Sequence, residues 1–139
     1  MIVESIEELR LFIKERNIRN FRPEEFICPH CGEVKIETGL VRILQDLRDF
    51  LGQPVIITSA YRCPEHNKRV GGVPDSAHVR GYAVDIKCPS SGYRYQVLRF
   101  LLRNLITRIG IGKNFIHFDI DPDKPYGVVW DYYDGRFSR

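Results

Sequence analysis

Residues 82–87 read Tyr82-Ala83-Val84-Asp85-Ile86-Lys87, and the alternation in this run decides the fold. An extended strand sends successive side chains to opposite faces, so Ala83 and Asp85 share one face and Val84 and Ile86 the other. A second stretch, Phe115-Ile116-His117-Phe118-Asp119-Ile120, repeats the pattern. His117 and Asp119 fall on one face, with Ile116, Phe118 and Ile120 on the other. Residues 108–111 and 128–132 are further candidate strands. The run Pro54-Val55-Ile56-Ile57-Thr58-Ser59 is β-branched and opened by proline, which predicts a buried strand.

Helical spacing appears elsewhere. Ser5-Ile6-Glu7-Glu8 is a capping box ahead of Leu9, Phe12 and Ile13, predicting a helix from about 6 to 16. Leu40, Ile43, Leu44, Leu47 and Leu51 recur at helical intervals, with Gly52 placed to end the run. Ser90 or Ser91 is positioned to cap a third helix carrying Val97, Leu98, Leu101 and Leu102. Residues 21–32 read as irregular and 71–81 as a loop. The sum is an α+β chain: early helices, then a small, largely antiparallel sheet with one intervening helix. With no repeats, low-complexity tracts or linker-like stretches, one domain over residues 1–139 is expected.

Composition narrows the class. Hydrophobic residues at 43% and charged residues at 28% are ordinary for a globular domain with one core. No apolar run approaches the roughly 20 residues of a membrane helix. The opening Met1-Ile2-Val3-Glu4-Ser5 lacks a basic region followed by an apolar stretch, so cytoplasmic synthesis without a conventional signal peptide is expected. A net charge of +3, scattered among acids, is too mild for a nucleic-acid binder and mildly favours an anionic target.

The chemistry concentrates in His78, Asp85 and His117. His78 precedes Asp85 by seven residues in Ser76-Ala77-His78-Val79-Arg80-Gly81-Tyr82-Ala83-Val84-Asp85. A loop running into a strand brings such a pair to one ion, with Gly81 letting the backbone turn. Two imidazoles and a carboxylate with a fourth position open to water form a catalytic rather than a structural zinc donor set. Such an ion lowers the pKa of its water to about 7. The spacing alone is weak, because a strand histidine is more often a satisfied polar side chain than a ligand.

Four cysteines, Cys28, Cys31, Cys63 and Cys88, leave several readings open. Cys28-Pro29-His30-Cys31-Gly32 has the form of a zinc knuckle, and a complete structural site needs two more ligands. Cys63 follows one candidate strand and Cys88 another, so neighbouring strands would complete a four-thiolate site. Disulfides and free buried thiols are the alternatives. His30 is expected to point outward, and His66 to be a structural or surface residue.

The strings Ser59-Ala60-Tyr61-Arg62, Asn67-Lys68-Arg69-Val70-Gly71-Gly72-Val73-Pro74-Asp75-Ser76-Ala77-His78, Gly81-Tyr82-Ala83-Val84-Asp85 and His117-Phe118-Asp119 together resemble the M15 family of zinc peptidases. The resemblance is closest to its D-alanyl-D-alanine carboxypeptidase-like branch, which includes phage endolysins, and it runs from about residue 21 to about residue 120. It implies a hedgehog/D-Ala-D-Ala carboxypeptidase-like fold, one catalytic zinc on His78, Asp85 and His117, and a peptidoglycan stem peptide as substrate. It also implies that Arg62 binds a substrate carboxylate or carbonyl, a task suited to its planar fork. A surface salt bridge is the plainer role for Arg62. Ser76 either hydrogen-bonds substrate or closes a turn.

The chain departs from the family pattern at the proton-transfer position. Many members carry a glutamate three residues before the third ligand or a histidine two before it, where this chain has Asn114 and Phe115. Asp119, on the same strand face as His117, is the local substitute, with orientation of His117 as its alternative role. The readings are therefore a D-Ala-D-Ala carboxypeptidase, an L-alanyl-D-glutamate-type endopeptidase, or an inactive metal-containing wall-binding module. A zinc-ribbon nucleic-acid binder is disfavoured by the mild charge and the missing second Cys-x-x-Cys. A monomer is the default for a small hydrolase.

Overall fold

The structure, a computed structural model, describes residues 1–133; residues 134–139 of the expected domain lie outside them. A short strand, Ile2–Val3 (β1), leads into the helix Ile6–Glu15 (α1). Ser5 caps α1 by accepting from the Glu8 N–H at 3.1 Å, and its hydroxyl donates to the Glu8 carboxylate at 3.1 Å. The expected irregular segment contains one 3-10 turn, Pro23–Phe26, which buries Pro23 and Phe26. Ile36–Glu37 (β2) pairs antiparallel with β1 and runs into Thr38–Leu51 (α2). That helix buries Leu40, Val41, Leu44 and Leu47 and ends at Gly52, as its spacing predicts.

Next come Ile57–Ser59 (β3), the short helices Pro64–Arg69 (α3) and Ala77–Arg80 (α4), and Ala83–Lys87 (β4). Ser90, rather than Ser91, caps Ser91–Arg103 (α5) by accepting from the Tyr93 N–H. Arg108–Ile111 (β5), Phe115–Asp119 (β6) and Val128–Asp131 (β7) follow. The main sheet has the order β3-β4-β6-β5-β7. Every pairing in it is antiparallel except β5 with β7, so the α+β, largely antiparallel expectation holds with one parallel edge.

Two local expectations change. The run Pro54–Ser59 is not a buried strand: only Ile57–Ser59 is extended in the sheet, and Ile56 is half exposed. As the edge strand, β3 has a partner on one side only among the described residues, so β-branched composition overstated its burial. Within the expected loop 71–81, Ala77–Arg80 forms a helical turn, capped by Ser76 and closed by Gly81 at φ +85°. A four-residue helix carries no periodicity to read.

Alternation sorts the central strands. Val84, Ile86, Ile109, Ile116 and Phe118 are fully buried in one core with Leu40, Leu44 and Leu47 of α2 and Val97 and Leu101 of α5. Burying a side chain of this size contributes about 1.5–3 kcal/mol, so the core fixes which face each strand turns inward. The opposite face is left for polar side chains. Register aligns them: Ser59 pairs with Asp85, Asp85 with His117, His117 with Gly110, and Gly110 with Trp130. One cross-strand row thus runs over all five strands.

Candidate metal centre

Asp85 and His117 are directly opposed residues of β4 and β6, a pairing that sets side chains about 4.5–5.5 Å apart at their Cβ atoms. His78 reaches the same point from α4. Its placement depends on Gly81, where a Cβ would sit 2.8 Å from the Lys35 carbonyl oxygen and whose φ of +85° favours glycine. The Gly81 carbonyl accepts from the Glu37 N–H at 2.8 Å, tying the turn to the end of β2.

The three side chains converge. Asp85 Oδ1 lies 3.2 Å from His78 Nε2 and 2.9 Å from His117 Nδ1, and all three are buried. The far nitrogen of each imidazole is anchored: His78 Nδ1–H donates to the Ala60 carbonyl at 2.7 Å, and His117 Nε2–H to Asp119 Oδ2 at 2.7 Å. With the far nitrogens donating, the near nitrogens and the carboxylate present lone pairs to one another. Only a positive species satisfies that arrangement. Tetrahedral zinc, with N and O ligands at about 2.0–2.2 Å, needs donors about 3.3–3.5 Å apart, and the observed separations are close to this. The donor set therefore fits the metal.

The electrostatics agree. Burial alone would raise Asp85, but His78 and His117 outweigh it and hold the carboxyl far below the usual range. Burial dominates His78 and lowers it despite Asp85, keeping the ring neutral as a ligand must be. Burial would also lower His117, yet its hydrogen bonds to Asp119 and Asp85 outweigh burial and raise it.

Around the cluster lies a cleft of about 360 Å³ lined by Arg62, Ser76, Arg108, Lys124, Trp130 and Tyr132 among others. The Arg62 guanidinium is held on three sides, by Ser59 Oγ at 3.1 Å, Asn67 Oδ1 at 3.2 Å and Asp85 Oδ2 at 3.4 Å. It is a largely buried wall of the cleft, not a surface pair. Ser76 Oγ accepts from the His78 N–H at 3.2 Å, so it caps α4 while lining the cleft. Asp119 is almost fully buried. Its Oδ1 accepts from Arg108 Nε–H at 2.7 Å and the Asp121 N–H at 3.2 Å, and its Oδ2 from His117.

Sequence reasoning passed over Arg108, Gly110 and Trp130. The Arg108 guanidinium lies 5.0 Å from the Trp130 ring, and that ring lies 5.4 Å from His117. A Cβ on Gly110 would meet Trp130 Nε1 at 2.6 Å and Tyr132 at 2.7 Å, so glycine is what lets the Trp130 ring lie beside His117 and the Tyr132 ring beside Trp130. Trp130 Nε1–H is buried with no hydrogen-bond partner among the described residues. A glycine inside a strand pattern is the one signal that pointed here.

The cysteines divide three to one. Cys28, Cys31 and Cys63 have sulfurs within 4.8 Å of one another, whereas Cys88 lies apart and donates to the Ser90 carbonyl at 3.4 Å. The four-thiolate set is corrected for a topological reason. β3 and β4 are neighbours but antiparallel, so Cys63 beyond the end of one and Cys88 beyond the end of the other leave from opposite edges. None of the four forms a disulfide among the described residues. His30 is exposed, as expected, and its Nδ1 lies 3.6 Å from Cys63 Sγ while its ring stacks on His66 at 6.3 Å between centroids. His66 stands clear of the cleft lining.

Among the described residues no helix is long and apolar enough to cross a membrane. No curated protein matches the chain. The sequence profile of the family described as Peptidase M15 matches residues 19–119, a span that holds all three converging ligands and Arg62. By that match and by the fold that carries it, the chain belongs to the M15 family, whose members are zinc-dependent metallopeptidases.

Proposed function

We propose that the chain is a zinc peptidase that hydrolyses an amide bond in the peptide stem of peptidoglycan, with removal of a terminal D-alanine as the first reading. The observation that carries it is the convergence of His78 Nε2, Asp85 Oδ1 and His117 Nδ1, each imidazole anchored on its far side, at the base of an open cleft. A zinc bound there supplies a Lewis acid for the scissile carbonyl and an acidified water.

The chain's own residues do the rest. The Ala60 carbonyl and Asp119 fix the orientation of the two imidazoles, which raises their quality as ligands. Arg62, clamped by Ser59 and Asn67, faces the cluster and suits the charge that builds on a substrate carbonyl, or a terminal carboxylate. Trp130 Nε1–H, without a hydrogen-bond partner among the described residues, is a donor for a backbone carbonyl of the stem. The Asp119 carboxylate already accepts from His117, Arg108 and the Asp121 backbone. It serves better as a positioning residue than as the proton shuttle its strand position alone suggested.

An endopeptidase cutting within the stem is the second reading. A non-catalytic wall-binding module is the third: Asp85 and Asp119 are the only carboxylates among the described lining residues. The test is purified zinc-loaded protein on isolated cell wall, following free D-alanine and new amino termini, beside His117→Ala. Zinc-dependent D-alanine release supports the first reading and new internal termini the second. Binding to the wall with neither product would leave only the module.

A further inference from the structure

Cys28, Cys31 and Cys63 lie outside the cleft, and nothing in a peptidase reaction uses them. We propose that their thiolates, with His30 as fourth ligand, hold a second, structural zinc that fixes the segment carrying Arg62.

Geometry supports the site from several sides. The three sulfurs lie mutually within 4.8 Å, although they come from a tight turn and from a segment more than 30 residues later. The turn is closed by Gly32 N–H donating to the Cys28 carbonyl at 2.9 Å, and Cys28 N–H donates to the Glu33 carbonyl at 2.8 Å. The Cys63 N–H points at Cys28 Sγ at 3.4 Å, and the His66 N–H at Cys63 Sγ at 3.4 Å. Backbone donors aimed at sulfur favour the thiolate, the form a metal requires. In tetrahedral zinc, ligands at about 2.3 Å for sulfur and about 2.05 Å for nitrogen stand about 3.6 Å apart. His30 Nδ1 already lies 3.6 Å from Cys63 Sγ, and although His30 stands outside the set of mutually close sulfurs, a turn of its exposed side chain brings it to the remaining position. Three thiolates and one imidazole close a structural site with no position left for water.

The second half of the proposal follows from what residues 60–63 touch. The Ala60 carbonyl accepts from His78 Nδ1, and the Tyr61 N–H donates to the Phe26 carbonyl at 3.3 Å. The Arg62 N–H donates to the His78 carbonyl at 3.3 Å, and the Cys63 N–H faces Cys28. One short segment is thus tied to the catalytic ligand and to the cysteine turn by successive residues. A metal joining Cys63 to Cys28 and Cys31 holds that segment from behind, and with it both the Arg62 side chain and the anchor of His78.

The test begins with metal content of the intact protein, which needs no substrate and so stands apart from the peptidase reading. Wild type is expected to carry two equivalents of zinc, and cobalt substitution to give a thiolate-to-metal charge-transfer band. His117→Ala should lose one equivalent and keep that band; Cys31→Ser should lose the other equivalent and the band, and raise KM more than it lowers kcat. His30→Ala should weaken retention of the second equivalent against a chelator. Should Cys31→Ser fail to fold, alkylation of wild type decides: Cys31 is exposed and would react fast as a free thiol, whereas bound to metal it is expected to react slowly until a chelator is added. A single equivalent with no charge-transfer band, or rapid alkylation of Cys31 in the native protein, overturns the site. An unchanged KM in Cys31→Ser overturns the link to Arg62, and unchanged retention in His30→Ala overturns the fourth ligand.

Discussion

Replacing Asp119 by alanine separates its two roles, because each predicts a different quantity to move. The carboxylate pairs with Arg108 at 2.7 Å, both side chains nearly inaccessible at 1% and 6% exposure. Its removal leaves a guanidinium buried against the Trp130 ring and the Pro125 carbonyl with no counter-charge. Breaking one side of a buried pair costs about 3–5 kcal/mol. For a domain of this size that corresponds to a melting temperature lower by about 10–20 °C. His117 also loses the acceptor that fixes its ring, and losing such a partner weakens metal binding about 10- to 100-fold. The assays are thermal unfolding of the metal-free protein and competition with a chromophoric zinc chelator. Arg108→Met in the Asp119→Ala background should recover part of the lost stability, since the stranded charge goes with it. Near-wild-type melting and zinc affinity alongside a collapsed kcat would refute the positioning role and restore Asp119 as the proton carrier.

Gly110→Ala should destabilise by about 1–3 kcal/mol, because the added carbon lands 2.6 Å from Trp130 Nε1 and must push the rings off the sheet; chemical denaturation reads the loss and KM reads the displaced wall. Trp130→Phe keeps a ring but deletes the unspent N–H, worth about 0.5–1.5 kcal/mol, so KM for a stem peptide should rise about two- to tenfold at similar melting temperature; an unchanged KM would mean the indole N–H meets no substrate. Leu44→Ala, fully buried on α2, should cost about 2–5 kcal/mol by urea unfolding and leave zinc stoichiometry intact; loss of metal together with stability would show that core and site are one cooperative unit.

Much of this was readable from local pattern. The Ser5 capping box, the α2 stripe ending at Gly52 and the alternation in 82–87 and 115–120 each depend on neighbours in sequence, and each appears as expected. The candidate ligands were legible for the same reason: alternation alone turns Asp85 and His117 away from the apolar face. What alternation cannot give is register. That Asp85 stands opposite His117, or Gly110 opposite Trp130, is a long-range fact set by the whole sheet. Hence Arg108, Gly110 and Trp130 went unread, and Cys88 was placed with the wrong partners once strand adjacency was guessed without strand direction. Asp119 shows the same limit in chemistry. Its face was predicted correctly, but its pairing with Arg108 depends on the register of the β5–β6 hairpin, which alternation alone does not fix.

The row of five paired residues has a consequence for how such a protein can change over time. Its ligand-bearing members, Asp85 and His117, stand on strands flanked on both sides, where a backbone shift disturbs two ladders at once. Its outer members, Ser59 and Trp130, belong to strands with one neighbour each among the described residues. Mutational drift is therefore cheapest at the margins, beside the cleft walls formed by Arg62 and the indole, and dearest in the middle. A chain built this way can acquire new preferences stepwise while the cluster of His78, Asp85 and His117 stays unaltered.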